Sequence, residues 1–98
     1  MATNLPKLSE EEITRKLAGL KGWQREGNAI TKEIVCGGFT PATAFVAKIA
    51  PLADGMDHHP DVLIHKYKRV KITLWTHSAG GLTQNDFDLA AKIDALAG

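Results

Sequence analysis

The chain has 98 residues, a formal net charge of +1, 44% apolar and 23% charged residues, and a single cysteine. That length and apolar content suit one domain over residues 1–98 that forms a core without staples, and the near-zero charge argues against a nucleic-acid or membrane-surface binder steered by a strong field. Cys36 alone excludes an internal disulfide and any cysteine-based metal cluster.

Residues 1–7 read as a loose arm. The opening MATNLPKLSEEE turns acidic without an apolar stretch, and no apolar run nears the roughly 20 residues that cross a bilayer, so a cytosolic protein is expected. Ser9 and Glu12 form a capping box with Leu8 and Ile13 at the staple positions, and Ile13, Leu17 and Leu20 give a narrow helical stripe that Gly19 or Gly22 stops. Trp23–Glu26 and Ala29–Val35 read as strands joined at Gly27-Asn28, a two-residue hairpin turn. After Gly37-Gly38, Thr40 as N-cap and Pro41 at the first helical position predict a second helix that buries Phe45, Ile49 and Leu52. Pro51 falls inside that pattern, so a kink or an early end is expected there.

Residues 62–76 are rich in β-branched and aromatic types. Val70, Ile72, Leu74 and Thr76 alternate with Lys71, Thr73, Trp75 and His77, which predicts one apolar and one mixed face. One strand of that length is uncommon, so a reversal near Tyr67–Arg69 is expected, although no Gly or Asn marks it. Gly80-Gly81 ends the strand. Thr83 with Asp86 three residues on caps a last helix, Leu82 and Phe87 staple it, and Leu89, Ile93 and Leu96 line its inner side. The resulting order, α-β-β-α-β-β-α, predicts an α+β two-layer fold with a four-stranded antiparallel sheet covered on one face by three helices.

All four histidines, His58, His59, His65 and His77, fall within twenty residues of sequence. Histidine titrates near neutral pH and is the usual choice for moving protons. Pro60 forces His59 out of helical geometry, so His58-His59-Pro60 forms a loop after the second helix; His77 is expected at a strand end before Ser78-Ala79-Gly80-Gly81. A histidine pair also suits metal, and Asp54, Asp57, Asp61 and Asp86 are candidate oxygen ligands. Zinc, however, takes three or four ligands, and neither a Cys cluster nor an H-E-x-x-H helix is present, so acid–base chemistry without metal is the favoured reading. Lys66, Lys68, Arg69 and Lys71 around Tyr67 mimic a nucleic-acid stripe; with so little net charge they read as a solvated hairpin tip. Trp75 on the mixed face points to a subunit interface or a ligand wall.

The pattern Asp54-x3-His58-His59-Pro60-x6-Tyr67-x9-His77-x8-Asp86 resembles the signature of the pterin-4a-carbinolamine dehydratases. The similarity runs through DHHPDVLIHKYKRVKITLWTHSAGGLT and extends to the Trp23 strand, the Phe39–Phe45 helix start and the Asp86–Ile93 helix. Asp54 stands where the family often has a Glu, and Pro51 and Gly55 interrupt a helix that often runs cleaner. The resemblance implies the same α-β-β-α-β-β-α fold and a hydro-lyase that removes water from 4a-hydroxytetrahydrobiopterin, giving quinonoid dihydropterin in tetrahydrobiopterin recycling. It implies His58, His59 and His77 as active-site histidines, with His58 and His77 as the proton-transfer pair and His59 binding the substrate. Asp57, Trp75, Thr76 and Ser78 are implied to touch the pterin, and Asp54 and Asp86 to be supporting acidic groups, Asp86 orienting a histidine. No metal or other cofactor is implied, since the pterin is the substrate. A homodimer or homotetramer and a functional link to an aromatic amino-acid hydroxylase are implied; nucleic acid and membrane are not expected partners. Two alternatives come with the family: a non-catalytic dimerisation cofactor for a transcription factor, and a dehydratase-like protein acting on a molybdopterin-related compound.

Overall fold

The computed structural model describes residues 5–97, so residues 1–4 of the expected arm lie outside the described residues. In chain order it contains helix α1 (Glu10–Ala18), strands β1 (Gln24–Glu26) and β2 (Ala29–Val35), helix α2 (Phe39–Met56), strands β3 (Asp61–His65) and β4 (Arg69–Leu74), a 3₁₀ turn (His77–Ala79) and helix α3 (Gln84–Ala97). The four strands pair antiparallel throughout in the order β1-β2-β4-β3. This is the expected α+β arrangement. No helix among the described residues is long and apolar enough to cross a membrane.

The sheet follows from the period-2 pattern. Ile30 pairs with Leu74, Lys32 with Ile72 and Ile34 with Val70, so one face collects the apolar side chains of both central strands. Ile30, Val70, Ile72 and Leu74 are fully buried in a cluster with Ile13 of α1, Ala42 and Ile49 of α2, and Phe87, Leu89, Ala90 and Ile93 of α3. Thr31, Glu33, Thr73 and Lys71 face the other way. There Glu33 accepts from Arg69 at 3.0 Å and pairs with His65 Nε2 at 2.7 Å. The hydrogen bonds to His65 and Arg69 hold the Glu33 carboxyl below the usual carboxylate range. Lys71 lies 3.6 Å from Glu26, and Lys68 Nζ stands over the Tyr67 ring at 5.7 Å from its centroid. Much of the basic run at 66–71 is thus offset by local partners.

The turns are built as their residues dictate. Gly27 takes φ +60°, the positive value that the first central residue of a II′-type hairpin requires. The reversal expected near Tyr67–Arg69 is present between His65 and Arg69. It is made without glycine: Lys66 and Tyr67 adopt φ of 48° and 55°, a strain of about 1 kcal/mol or more each. Cys36 N–H donates to Lys68 O at 2.7 Å, tying the end of β2 to this turn.

The capping box at Ser9 and Glu12 is formed in both directions, at 3.2 and 3.0 Å. Other boundaries need correction. Strand β1 begins at Gln24, leaving Trp23 as a buried residue just before it, and Leu20 lies past the end of α1. Helix α2 starts at Phe39 with Gly38 as its cap, two residues before the expected start. Pro41 is then the third helical residue, where its missing N–H is still one of the unpaired donors of the first turn. Pro51 does not end α2, which runs to Met56. Proline's fixed φ is helical, and the carbonyl it strands is that of Ala47, on the exposed side, where water can reach it. Phe45 and Leu52 are half-buried, and Leu96 is exposed. Strand β4 ends at Leu74, so His77 opens the 3₁₀ turn and is not itself at the strand end.

Candidate active site

Two chain segments meet at one end of the sheet. The first is the exit from α2. Asp57 takes the left-handed conformation (φ 48°, ψ 44°) that usually falls to glycine at a helix end. Its N–H donates to Asp54 O at 3.1 Å, and the His58 N–H donates to Ala53 O at 3.0 Å. This double closure reverses the chain sharply, so His58 turns inward, 9% exposed, while His59 stays in solvent. Pro60 then leads into β3.

The second segment follows β4. Thr76 N–H donates to Gly81 O at 2.9 Å and Gly81 N–H returns to Thr76 O at 3.3 Å, which pinches off the loop 77–80. Gly80 at φ +70° allows that closure. The His77 ring packs on Trp75 with centroids 4.0 Å apart at 44°.

Between the segments lies an open cavity of about 400 Å³. Asp57, His58 and His59 line one side; Trp75, Thr76, His77 and Ser78 line the other. The residues expected to touch a ligand are therefore gathered in one place, although separated by more than a strand and a turn. Pro60, known from the motif, and Asp61, singled out only as a candidate oxygen ligand, also line it, as does Asn85, which was not foreseen. Asp61 directly follows the His-His-Pro run and Asn85 precedes Asp86, so proximity to the motif was the available signal. His65 is elsewhere, paired with Glu33 on the open sheet face.

Asp86 sits beneath the cavity and is fully buried. Its Oδ1 is 2.6 Å from His58 Nε2; its Oδ2 accepts from the Thr76 hydroxyl at 2.8 Å and the Thr83 N–H at 2.9 Å. The second contact is half of the expected capping box. The Thr83 hydroxyl, the other half, pairs instead with Thr76 Oγ1 at 2.8 Å. Asp54 is exposed and meets His59 Nε2 at 2.9 Å. No group of three or more His, Cys, Asp or Glu side chains among the described residues is arranged to hold a metal ion. Imidazoles facing a cavity of this size can give or take a proton from a bound small molecule.

Fold and site together define a small α+β protein with a histidine-lined cavity at one end of an antiparallel sheet. The family model described as Pterin 4 alpha carbinolamine dehydratase matches residues 6–96, so the chain belongs to that family. It is 47% identical over 90 residues to a protein of Sulfolobus acidocaldarius, covering 92% of this chain and 98% of the relative. It is 48% identical over 90 residues to one of Roseiflexus sp., covering 92% and 96%. Both are named "Putative pterin-4-alpha-carbinolamine dehydratase". Among solved structures, a transcriptional coactivator/pterin dehydratase from Brucella melitensis superposes with a TM-score of 0.88 at 39% identity, covering 94% of this chain and 99% of that one. A pterin dehydratase-like protein identified as a RuBisCO assembly factor in the alpha-carboxysome gives 0.61 at 27% identity, covering 78% and 87%.

Proposed function

We propose that the chain is a hydro-lyase that dehydrates a 4a-hydroxytetrahydropterin by histidine general acid–base catalysis. The observation that carries this reading is the convergence of His58, His59 and His77 on one cavity, with His58 held by a buried carboxylate. In the reaction the C4a–O bond breaks as a general acid protonates the leaving hydroxyl. A base removes a proton from a ring nitrogen, and the freed electron pair closes a C=N bond. The products are quinonoid dihydropterin and water. Nothing is oxidised or reduced, so the chemistry calls for no redox cofactor. His58 and His77 are the proton-transfer pair and His59, steadied by Asp54, binds the substrate. Trp75 supplies an apolar wall for the flat pterin, and Asp57 and Ser78 offer polar contacts at its edge. Each positioned acid or base is worth about 10²–10⁴-fold.

The setting proposed is a cytoplasmic homo-oligomer, a dimer or tetramer, since the sheet has an uncovered face and two edge strands that a second copy can cover. The names of the two structural relatives favour a second reading, a module that binds a protein partner. Stopped-flow dehydration of a 4a-hydroxytetrahydropterin, corrected for the spontaneous reaction, separates the two. Turnover above background that persists in excess EDTA supports the enzyme. A folded protein with no rate above background defeats it, and activity lost to EDTA and restored by zinc replaces it with a metal mechanism.

A further inference from the structure

The hydrogen bonds around Asp86 have a direction. An ionised carboxylate only accepts, and a hydroxyl has one proton to give. The Thr76 proton is committed to Asp86 Oδ2 at 2.8 Å. The 2.8 Å contact between the two hydroxyls therefore has Thr83 donating to Thr76. The donors converge on Asp86, from Thr83 through Thr76 on one side and from His58 on the other. The network is enclosed: Thr83 and Asp86 are 0% exposed and Thr76 5%.

We propose that Thr76 and Thr83 are positioning residues that set the working tautomer of His58 through Asp86. The terminal torsion of an aspartate is soft. Here the Thr76 O–H and the Thr83 N–H both hold Oδ2, so rotation is blocked and Oδ1 stays aimed at His58 Nε2 at 2.6 Å. Facing an acceptor, Nε2 carries the proton, and Nδ1 is the nitrogen presented for exchange with substrate. The three donors also offset the cost of burying a carboxylate. Thr76 lines the cavity, yet its hydroxyl is spent inward, so the residue serves His58 and does not hydrogen-bond substrate through that group. The loop closure at Thr76 and Gly81 brings the two threonines together, so the device belongs to the fold of this loop.

The kinetic half of this inference rests on the dehydratase reading; the tautomer half does not. The test uses the full chain labelled with ¹⁵N, with long-range proton–nitrogen correlation reading the His58 ring, beside dehydration kinetics. Thr76→Val should move His58 from a single Nε2–H form to a mixture and lower kcat about tenfold with KM changed less than about twofold. Thr76→Ser should restore both. Thr83→Val should act in the same direction and more weakly, and Thr83→Ser should be close to wild type. If Thr76→Val does not fold, the Thr83 pair decides the matter. A folded Thr76→Val or Thr83→Val protein with the wild-type tautomer and wild-type kcat overturns the proposal, as does a KM effect without a kcat effect. If the wild type shows no turnover, the dehydratase reading fails, and the tautomer comparison still decides whether the threonines set His58.

Discussion

The indole N–H of Trp23 is shared between both carboxylate oxygens of Asp94, at 3.0 and 3.1 Å, across 71 positions of sequence. Lys32 joins them, its Nζ 2.8 Å from Asp94 Oδ1 and 5.9 Å from the Trp23 ring centroid. This cluster fastens the last turns of α3 to the start of the sheet. Asp94→Ala leaves a buried indole N–H without its acceptor and a half-buried lysine without its counter-charge. The expected loss is about 1–3 kcal/mol, read as a fall of roughly 4–8 °C in Tm per kcal/mol for a domain of this size. Asp94→Asn keeps one acceptor and should lose less. Equal melting of all three proteins would show that the cluster contributes nothing.

The histidines should separate by kinetics. His58→Ala and His77→Ala should each lower kcat by about 10²–10⁴-fold, whereas His59→Ala should raise KM more than it lowers kcat. His65→Ala, remote from the cavity, should keep wild-type kinetics. His58→Ala also strips a partner from buried Asp86, so His58→Gln belongs in the set, with circular dichroism confirming the fold. A His65 variant as impaired as the folded His58 variant would place the site elsewhere.

Gly55 in the last turn of α2 and Asp57 at its C-cap should both keep or gain stability on substitution, and only the second should cost activity. A Cβ at Gly55 would meet nothing within 4 Å, so Gly55→Ala should raise stability by about 0.5–1 kcal/mol through helix propensity and a less free unfolded chain. Asp57→Gly relieves a left-handed backbone, so Tm should hold or rise while kcat/KM falls, because a carboxylate leaves the cavity. Thermal melts and dehydration rates on the same samples check both, and an Asp57→Gly protein with full activity would remove Asp57 from the site.

The capping box makes a pH-dependent contribution whose sign is fixed. The hydrogen bonds from the Ser9 backbone and side chain hold the Glu12 carboxyl below its ordinary range. A carboxyl depressed in the folded state stabilises above the unfolded value and ceases to do so as pH falls through the folded one. Glu12→Ala should therefore melt below wild type at neutral pH, with the gap narrowing as the pH falls through the range in which the folded carboxyl protonates. A gap that stays constant with pH would assign the effect to propensity alone.

What could be read in advance was whatever is local and periodic. Alternation from Val70 to Thr76 foretold which side chains of β4 are buried, and Ser9-x-x-Glu12 foretold a capping box. Proline misled twice for one reason: its missing donor matters little in a first turn and little on a solvated face, so Pro41 did not mark the first helical residue and Pro51 did not stop α2. At the site, the motif brought the histidines and Asp86 to notice, but not their geometry. That Thr83 would spend its hydroxyl on Thr76, or Trp23 its N–H on Asp94, depends on contacts made only after the chain is folded. Asn85 was obscured by its ordinary chemistry, since nothing in a lone Asn signals a cavity wall, and Asp61 drew notice only as a possible metal ligand.

The central ladder carries a consequence for how the protein comes apart. Strands β2 and β4 are neighbours in the sheet but far apart in the chain: Val35 pairs with Arg69 and Ile30 with Leu74. All of α2, the His58-His59-Pro60 turn and β3 form the loop that this pairing closes. Closing it costs entropy before any contact rewards it, so folding should be slower than for a helical bundle of equal length. His58 lies inside that loop, and His77 and Asp86 lie just beyond its far end. The two walls of the cavity therefore meet only once the longest closure in the sheet is complete. A molecule bound there is linked to the whole native state, and occupying the cavity should slow global unfolding and amide exchange in β2 and β4, far from any atom it touches.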